Sequence, residues 1–380
     1  MTDHAIALSV PDLTRAEKDA VAAATEVVSG GRTRLDAITQ FEREFAAHSG
    51  TRRAVAVSSG TAAIHLALIH LGARPGTAVL TSSMTFAATA NAIRYTGADP
   101  VFIDSRREDA NVDVDLMIEA ADTLADEGVE VVAAIPVDLF GRCAHYTTLE
   151  PALAERGIPL LADAAESVGA THNGRPAGSM GRAGAISFNV NKIMTTLGGG
   201  MIVSDDEELC DHAHKLANQA RENVAWYEHT EIGYNYRMSN LAAALGSAQL
   251  RRLPELMAGR RRVREAYAAA FADEPSIRIL GRDTGDQDDN CWLTTIVVDN
   301  GRFHPQAAID QLADMGIEAR HLWKPMHQQP VYAGARAFLT GAADDLFANG
   351  LNLPSSSILT DAELDRVSTA ILAIVREHTT

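Results

Sequence analysis

Lys192 ends the stretch Ala185-Ile186-Ser187-Phe188-Asn189-Val190-Asn191-Lys192, and Gly198-Gly199-Gly200-Met201 follows closely. A lysine amine does chemistry when it can shed its proton and attack a carbonyl, which makes Lys192 a candidate Schiff-base lysine. The apolar run AISF reads as a short strand that brings Ser187 and Lys192 to one edge of a sheet. The glycines allow a tight turn into the next strand, Met201 to Ser204. Most lysines beside glycines are solvated surface charges, so the assignment depends on what else reaches that edge.

Upstream, Ile158-Pro159-Leu160-Leu161-Ala162 runs into Asp163-Ala164-Ala165-Glu166-Ser167. This is the pattern of a buried parallel strand ending in a carboxylate, at the end where open α/β sheets bind ligands. A pyridine ring used as an electron sink needs an acid facing its nitrogen, and Asp163 is placed to supply one, with Glu166 in reach of a ring oxygen. The bland alternative is that Asp163 caps the following helix. Earlier still, Val55-Ala56-Val57-Ser58-Ser59-Gly60-Thr61-Ala62-Ala63 precedes the periodic apolar positions Ile64, Leu66, Leu68 and Ile69. Strand, turn and helix in that order make an anion site from free amides and the helix dipole, suited to a dianionic phosphate. Phosphate site, ring-facing acid and amine together point to pyridoxal 5'-phosphate.

Further segments extend the pattern: TSSMTFAATANAI at 81 to 93, PVDLFGR at 136 to 142 and GYNYRMSNLAAALGSAQL at 233 to 250. From about Ile6 to its C-terminus the chain resembles the DegT/DnrJ/EryC1/StrS family of sugar aminotransferases. These are pyridoxal-phosphate enzymes of the aspartate aminotransferase fold, fold type I. The resemblance implies that Lys192 binds the cofactor covalently, Asp163 pairs with the pyridine nitrogen and Phe86 lies against the ring. It puts Glu166 beside the ring oxygen, and Gly60, Thr61, Ala62 and Ser187 around the phosphate. It also implies that Asn235 reaches the phosphate in a neighbouring subunit, hence a homodimer with shared active sites.

Near the C-terminus, Arg320-His321-Leu322-Trp323-Lys324-Pro325-Met326-His327, then Gln329-Pro330-Val331-Tyr332 and Phe347 to Ser355, resemble one branch of that family. That branch aminates C4 of UDP-4-keto-6-deoxy-N-acetylhexosamines, with L-glutamate the amino donor implied by the family. A nucleotide diphosphate needs cations, so Arg320, His321, Trp323, Lys324 and His327 are the candidate substrate residues. The plainer reading is a turn shaped by Trp323 and Pro325, with the cations in water. Two departures bear on the acceptor. Arg32 to Thr39 stands where the family has a glycine-rich stretch and is expected to line the sugar pocket, and Asn352 stands where a cysteine or similar residue is expected. A dTDP- or GDP-linked keto sugar or an amino-cyclitol precursor is therefore an alternative acceptor. From another class, a non-catalytic cofactor-binding or sugar-sensing protein is the alternative. Lysine rather than histidine at 192 separates the chain from the dehydratase branch.

The elements that must position these residues follow from alternating apolar strands and amphipathic helices. A large α/β cofactor domain over 14–248 is expected, with a mainly parallel seven-stranded sheet covered on both faces. Its strands are Ala54–Val57, Ala78–Thr81, Pro100–Ile103, Val131–Pro136, Leu160–Ala162, Ala185–Phe188 and Met201–Ser204. A helix from about Asn240 to Phe271, interrupted near Pro254, leads into a smaller α+β domain over 249–380, on which the arm 1–13 packs. Arg260, Arg261, Arg262 and Arg264 read as a solvated helix face, and Asp283 to Asn290 as a loop.

A chain of 380 residues with 46% hydrophobic and 22% charged content reads as globular, and its formal charge of -17 argues against nucleic acid. No apolar run is long enough for a membrane span and the N-terminus lacks a signal pattern, so a cytoplasmic protein is expected. Cys143, Cys210 and Cys291 are far apart and show no metal spacing. His212 and His214 do not share a face if Glu207 to Gln219 is helical, so no metal site is expected there or at His145.

Overall fold

The computed structural model describes residues 5–29, 36–282, 287–299 and 301–377. Seven strands carry the larger part: β1 Arg53–Val57, β2 Ala78–Ser82, β3 Asp99–Ile103, β4 Val131–Ile135, β5 Leu161–Asp163, β6 Ala183–Ser187 and β7 Gly200–Ser204. They lie in the order β1-β7-β6-β5-β4-β2-β3, with β4 and β5 joined by the parallel bridges Ala134–Leu160 and Val137–Asp163. Strands β2, β3 and β4 pair in parallel, as do β5 and β6, whereas β7 runs antiparallel to both β1 and β6.

Alternation along the strands splits the core in two. Val55 and Val57 face one apolar cluster with Ile64, Leu68 and Leu209, while Ala54 and Ala56 face another with Phe41, Phe45 and Phe188. The helices Gly60–His70 and Glu207–Ala217 cover the first face, and Ala37–Ser49 covers part of the second. Both faces are thus dry, which is why these strands read as nearly continuous apolar runs.

A second sheet is antiparallel, in the order Ile277–Ile279, Thr294–Val298, Gly350–Leu353, Arg320–His321, with the helices Pro305–Asp314 and Asp361–Glu377 packed against it. Ile6 bridges to Ile317 and is buried in the same cluster.

Several details differ from the sequence reading. Within the stretch read as a loop, Gln287–Asp288 pair antiparallel with Thr171–His172, and residues 283–286 lie outside the described residues. The long helix Asn240–Ala270 is continuous through Pro254. Proline removes one backbone donor, and the buried Leu253 and Leu256 on either side anchor the rod across the gap. Its arginines are not all solvated: Arg260 is 2% exposed and donates to the carbonyls of Trp292 and Ser355 and to Ser9 Oγ. Arg264 pairs with Asp289 at 2.6 Å. Finally, the segment Ala337–Phe338 returns to the large sheet as an eighth, edge strand parallel to β3. Met326 and Tyr332 pack there against Ala90 and Phe102.

Candidate active site

The carboxyl ends of the parallel strands open on a cavity of about 310 Å³, where open α/β sheets bind ligands. At one end, Ser59 is extended and caps the helix Gly60–His70, its Oγ accepting the Ala62 N–H at 3.1 Å. The first amides of a helix have no partner within it, and here Gly60 and Thr61 line the cavity. The approach is close because glycines permit it. A Cβ on Gly60 would lie 3.0 Å from Ser187 Cβ, and one on Gly200 would lie 2.4 Å from the Ser59 carbonyl. Ser187, at the end of β6, lines the same wall.

Opposite, β5 ends at Asp163, 3% exposed, with Thr89 Oγ1 donating to Oδ2 at 2.6 Å and the Ala165 N–H to Oδ1 at 3.1 Å. Burial pushes the Asp163 carboxyl up, opposed by those two bonds and the charge of Lys192. Glu166 accepts the Phe140 N–H at 2.8 Å; burial raises it too, and Lys192 again opposes. Lys192 is pulled below the usual amine range by burial, with Glu166 and then Asp163 acting against this. Its Nζ lies 3.6 Å from Glu166 Oε1 and 4.0 Å from the centre of the Trp292 ring. One amine thus faces two buried acids, and a cationic ring nitrogen would supply the missing positive charge. An anion cradle, an acid pair and a desolvated amine around one cavity are the donor set that pyridoxal phosphate requires.

Of the residues singled out from the sequence, Gly60, Thr61, Phe86, Asp163, Glu166, Ser187, Lys192 and Trp323 line this cavity. Phe86 and Trp323 meet edge to face at 5.6 Å. Ala62 does not line it: the residue is 2% exposed, in the core, and its amide is spent on Ser59. Asn235 is exposed and bridged to Asn218, and it does not line the cavity.

The four cations expected to gather around the substrate are dispersed instead. Arg320 pairs with Glu318 at 2.7 Å, and His321 Nε2 meets Gln306 at 3.2 Å. Lys324 is exposed, and His327 is held between Ser83 Oγ at 2.7 Å and Asp344 at 2.9 Å. The reason is local: Met326 N–H donates to the Ser83 carbonyl, which ties this segment to the large sheet and leaves only Trp323 of the five on the cavity. Asn352 is buried within the small sheet, accepting from Thr295 Oγ1 and donating to the His321 carbonyl. Arg32 to Leu35 lie outside the described residues.

Thr89 and Trp292 were missed. Thr89 lies one helical turn after Phe86, a spacing that could have placed both on one side. Trp292 arrives on the segment just before the small-sheet strand Thr294–Val298, about a hundred residues beyond Lys192, and no local pattern announces it.

The family model described as the DegT/DnrJ/EryC1/StrS aminotransferase family matches residues 14–372. The chain belongs to that family. It is 42% identical to EpsN of Bacillus subtilis (strain 168), assigned as a pyridoxal phosphate-dependent aminotransferase, over 88% of this chain and 87% of that one. It is 34% identical to a GDP-perosamine synthase of Caulobacter vibrioides over 96% of this chain and 97% of that one. Among solved structures it is similar to DesI, determined in the presence of its TDP-sugar product, with a TM-score of 0.88, 27% identity and coverage of 99% and 94%.

As a DegT/DnrJ/EryC1/StrS protein, the chain is a pyridoxal phosphate-dependent aminotransferase of fold type I. When bound, pyridoxal phosphate supplies an electron-withdrawing ring that acidifies the α-hydrogen of an attached amine. Among the described residues, no helix is long and apolar enough to cross a membrane.

Proposed function

We propose that this enzyme transfers the amino group of L-glutamate to C4 of a nucleotide-linked 4-keto-6-deoxy sugar, UDP-4-keto-6-deoxy-N-acetylhexosamine, in two half-reactions at one site. The observation behind it is the buried Lys192 amine facing Glu166 and Asp163 in one cavity. In this reading Gly60, Thr61 and Ser187 hold the cofactor phosphate, Asp163 faces the ring nitrogen, Glu166 faces the ring oxygen and Phe86 covers the ring. Lys192 Nζ takes a proton from the α-carbon of the amino donor and later returns one to C4 of the sugar. The C-terminal WKPMH and QPVY motifs support the UDP-linked acceptor.

A second acceptor has its own support. A GDP-perosamine synthase is 34% identical over nearly the whole chain, which favours a GDP-linked keto sugar as the alternative.

The active unit in this reading is a homodimer. Trp226, Tyr227 and Ile232 are 61%, 80% and 84% exposed on the segment that leads to Asn235, and so large an apolar display suits burial against a second copy. Asn235, exposed in one subunit, then completes the phosphate site of the other.

The decisive experiment is the visible spectrum of the holoenzyme, taken before and after L-glutamate and again with a panel of UDP-, GDP- and dTDP-linked 4-keto sugars. Loss of the yellow band with glutamate and its return with one sugar identifies donor and acceptor. A band that glutamate leaves unchanged refutes the donor. Return with none of the sugars refutes the acceptor class.

A further inference from the structure

Trp292 is 1% exposed, and its position is fixed from three sides. Its backbone N–H donates to Asn290 Oδ1 at 2.8 Å, its carbonyl accepts from the buried Arg260, and its indole N–H donates to the Asn191 carbonyl at 2.7 Å. Asn191 immediately precedes Lys192, and the same carbonyl also accepts Ser9 Oγ at 2.8 Å. The indole face is left to the lysine, whose Nζ lies 4.0 Å from the ring centre. That distance is well inside the range at which an ammonium is attracted to an aromatic face, and tryptophan is the strongest of the aromatic residues in this role.

We propose that Trp292 is a positioning residue for Lys192: its indole face holds the amine in its ammonium form beside Glu166, and its indole N–H fixes the backbone one residue before the lysine. The charged groups around Nζ are then few. Glu166, on the segment after β5, lies at 3.6 Å, and Asp163, at the end of β5, acts through its charge. Burial favours the neutral amine, whereas these acids and the indole favour the ammonium. A base that gains a proton during the reaction benefits from such a surface only in its protonated state. The indole therefore strengthens Lys192 as a proton acceptor without touching substrate.

This rests on the reading of Lys192 as the reacting amine, and the test keeps the two separate. In the protein stripped of cofactor, the rate at which acetic anhydride acylates Lys192 is followed against pH by peptide mass spectrometry, for the native chain, Trp292→Phe and Trp292→Leu. Phenylalanine keeps a weaker aromatic face and loses the N–H; leucine loses both. The midpoint is expected to fall from native to Trp292→Phe and further in Trp292→Leu, by about half a pH unit or more in total. That corresponds to roughly 0.5–1 kcal/mol of cation–π attraction.

A purely structural tryptophan would leave the midpoint in place, or raise it as water reaches the amine, and either result overturns the proposal. If Trp292→Leu does not fold, Trp292→Phe decides alone, since an unmoved midpoint there is equally fatal. Borohydride trapping of the cofactor on Lys192 in the native holoenzyme is the separate readout for the lysine's own role. Its failure would remove that reading while leaving the acylation midpoints to be judged by themselves.

Discussion

Thr89 Oγ1 donates to Asp163 Oδ2 across 2.6 Å, so the acid at the end of β5 is oriented by a hydroxyl from the helix that begins one residue after Phe86. A single helical turn thus supplies both an aromatic wall of the cavity and the bond that aims the acid. Replacing Asp163 by Asn keeps the shape but removes the charge. Removing one preorganised electrostatic stabiliser raises the barrier by about 3 kcal/mol, so turnover should fall roughly 100-fold or more. Steady-state kinetics of Asp163→Asn would check this, and Thr89→Val, which only misaims the acid, should lose less.

Lys192→Ala should abolish covalent cofactor capture and reduce turnover by at least about 100-fold, the minimum for loss of a positioned general base. Noncovalent binding should survive, because Gly60, Thr61 and Ser187 are untouched. Mass spectrometry after borohydride, set beside equilibrium dialysis of the cofactor, separates the two effects. Near-native turnover in this variant would sink the proposed role.

Gly200→Ala places a methyl group 2.4 Å from the Ser59 backbone, which is held by the helix it caps. Neither strand nor helix can yield cheaply, so a loss of about 1–3 kcal/mol in stability is expected, with weaker cofactor binding. Thermal unfolding with and without cofactor measures both, and a variant as stable as the native chain would show that the cradle is more plastic than its packing indicates.

Glu17 supplies the clearest pH prediction. Burial raises its carboxyl, but bonds from Thr14, Arg252 and Gln249 outweigh this and bring it down to about 2. A group depressed in the folded state stabilises above its unfolded value, near 4.5, and loses that contribution as pH falls toward 2. Glu17→Gln should therefore cost about 2 kcal/mol near neutrality, with the gap from the native chain closing between pH 4.5 and 2. Unfolding curves of both proteins across that range give the answer; a gap that widens on acidification would contradict it.

The proposed sharing of sites between subunits makes a prediction by arithmetic. Lys192→Ala and Asn235→Ala subunits are each inactive in this scheme, yet a mixed dimer holds one site with both residues intact. Random remixing should restore about a quarter of native specific activity. No recovery, in dimers verified by native mass spectrometry, would confine the whole site to one subunit.

The seven strands were legible in the sequence because parallel strands buried on both faces leave unbroken apolar runs, and seven of the nine cofactor residues singled out line the cavity at the ends of those strands. Side chains set by contacts between distant segments were not legible. Arg260 lies in a run of arginines that any reading by composition assigns to water, yet its partners are carbonyls of residues 292 and 355. The cations after Arg320 were misplaced for the same reason. Their charge is visible in the sequence, but Glu318, Asp344 and Ser83 decide where they point. Pro254 is the converse case, where local chemistry argued for a break and packing on both sides kept the helix whole.

The Asn191 carbonyl is braced by Ser9 and by Trp292, and the backbone of Ser355 in turn donates to the Leu8 carbonyl at 2.8 Å. The setting of the lysine therefore draws on distant segments of the chain on both sides of it. Lys192 is in this sense set by tertiary closure and not by its own loop.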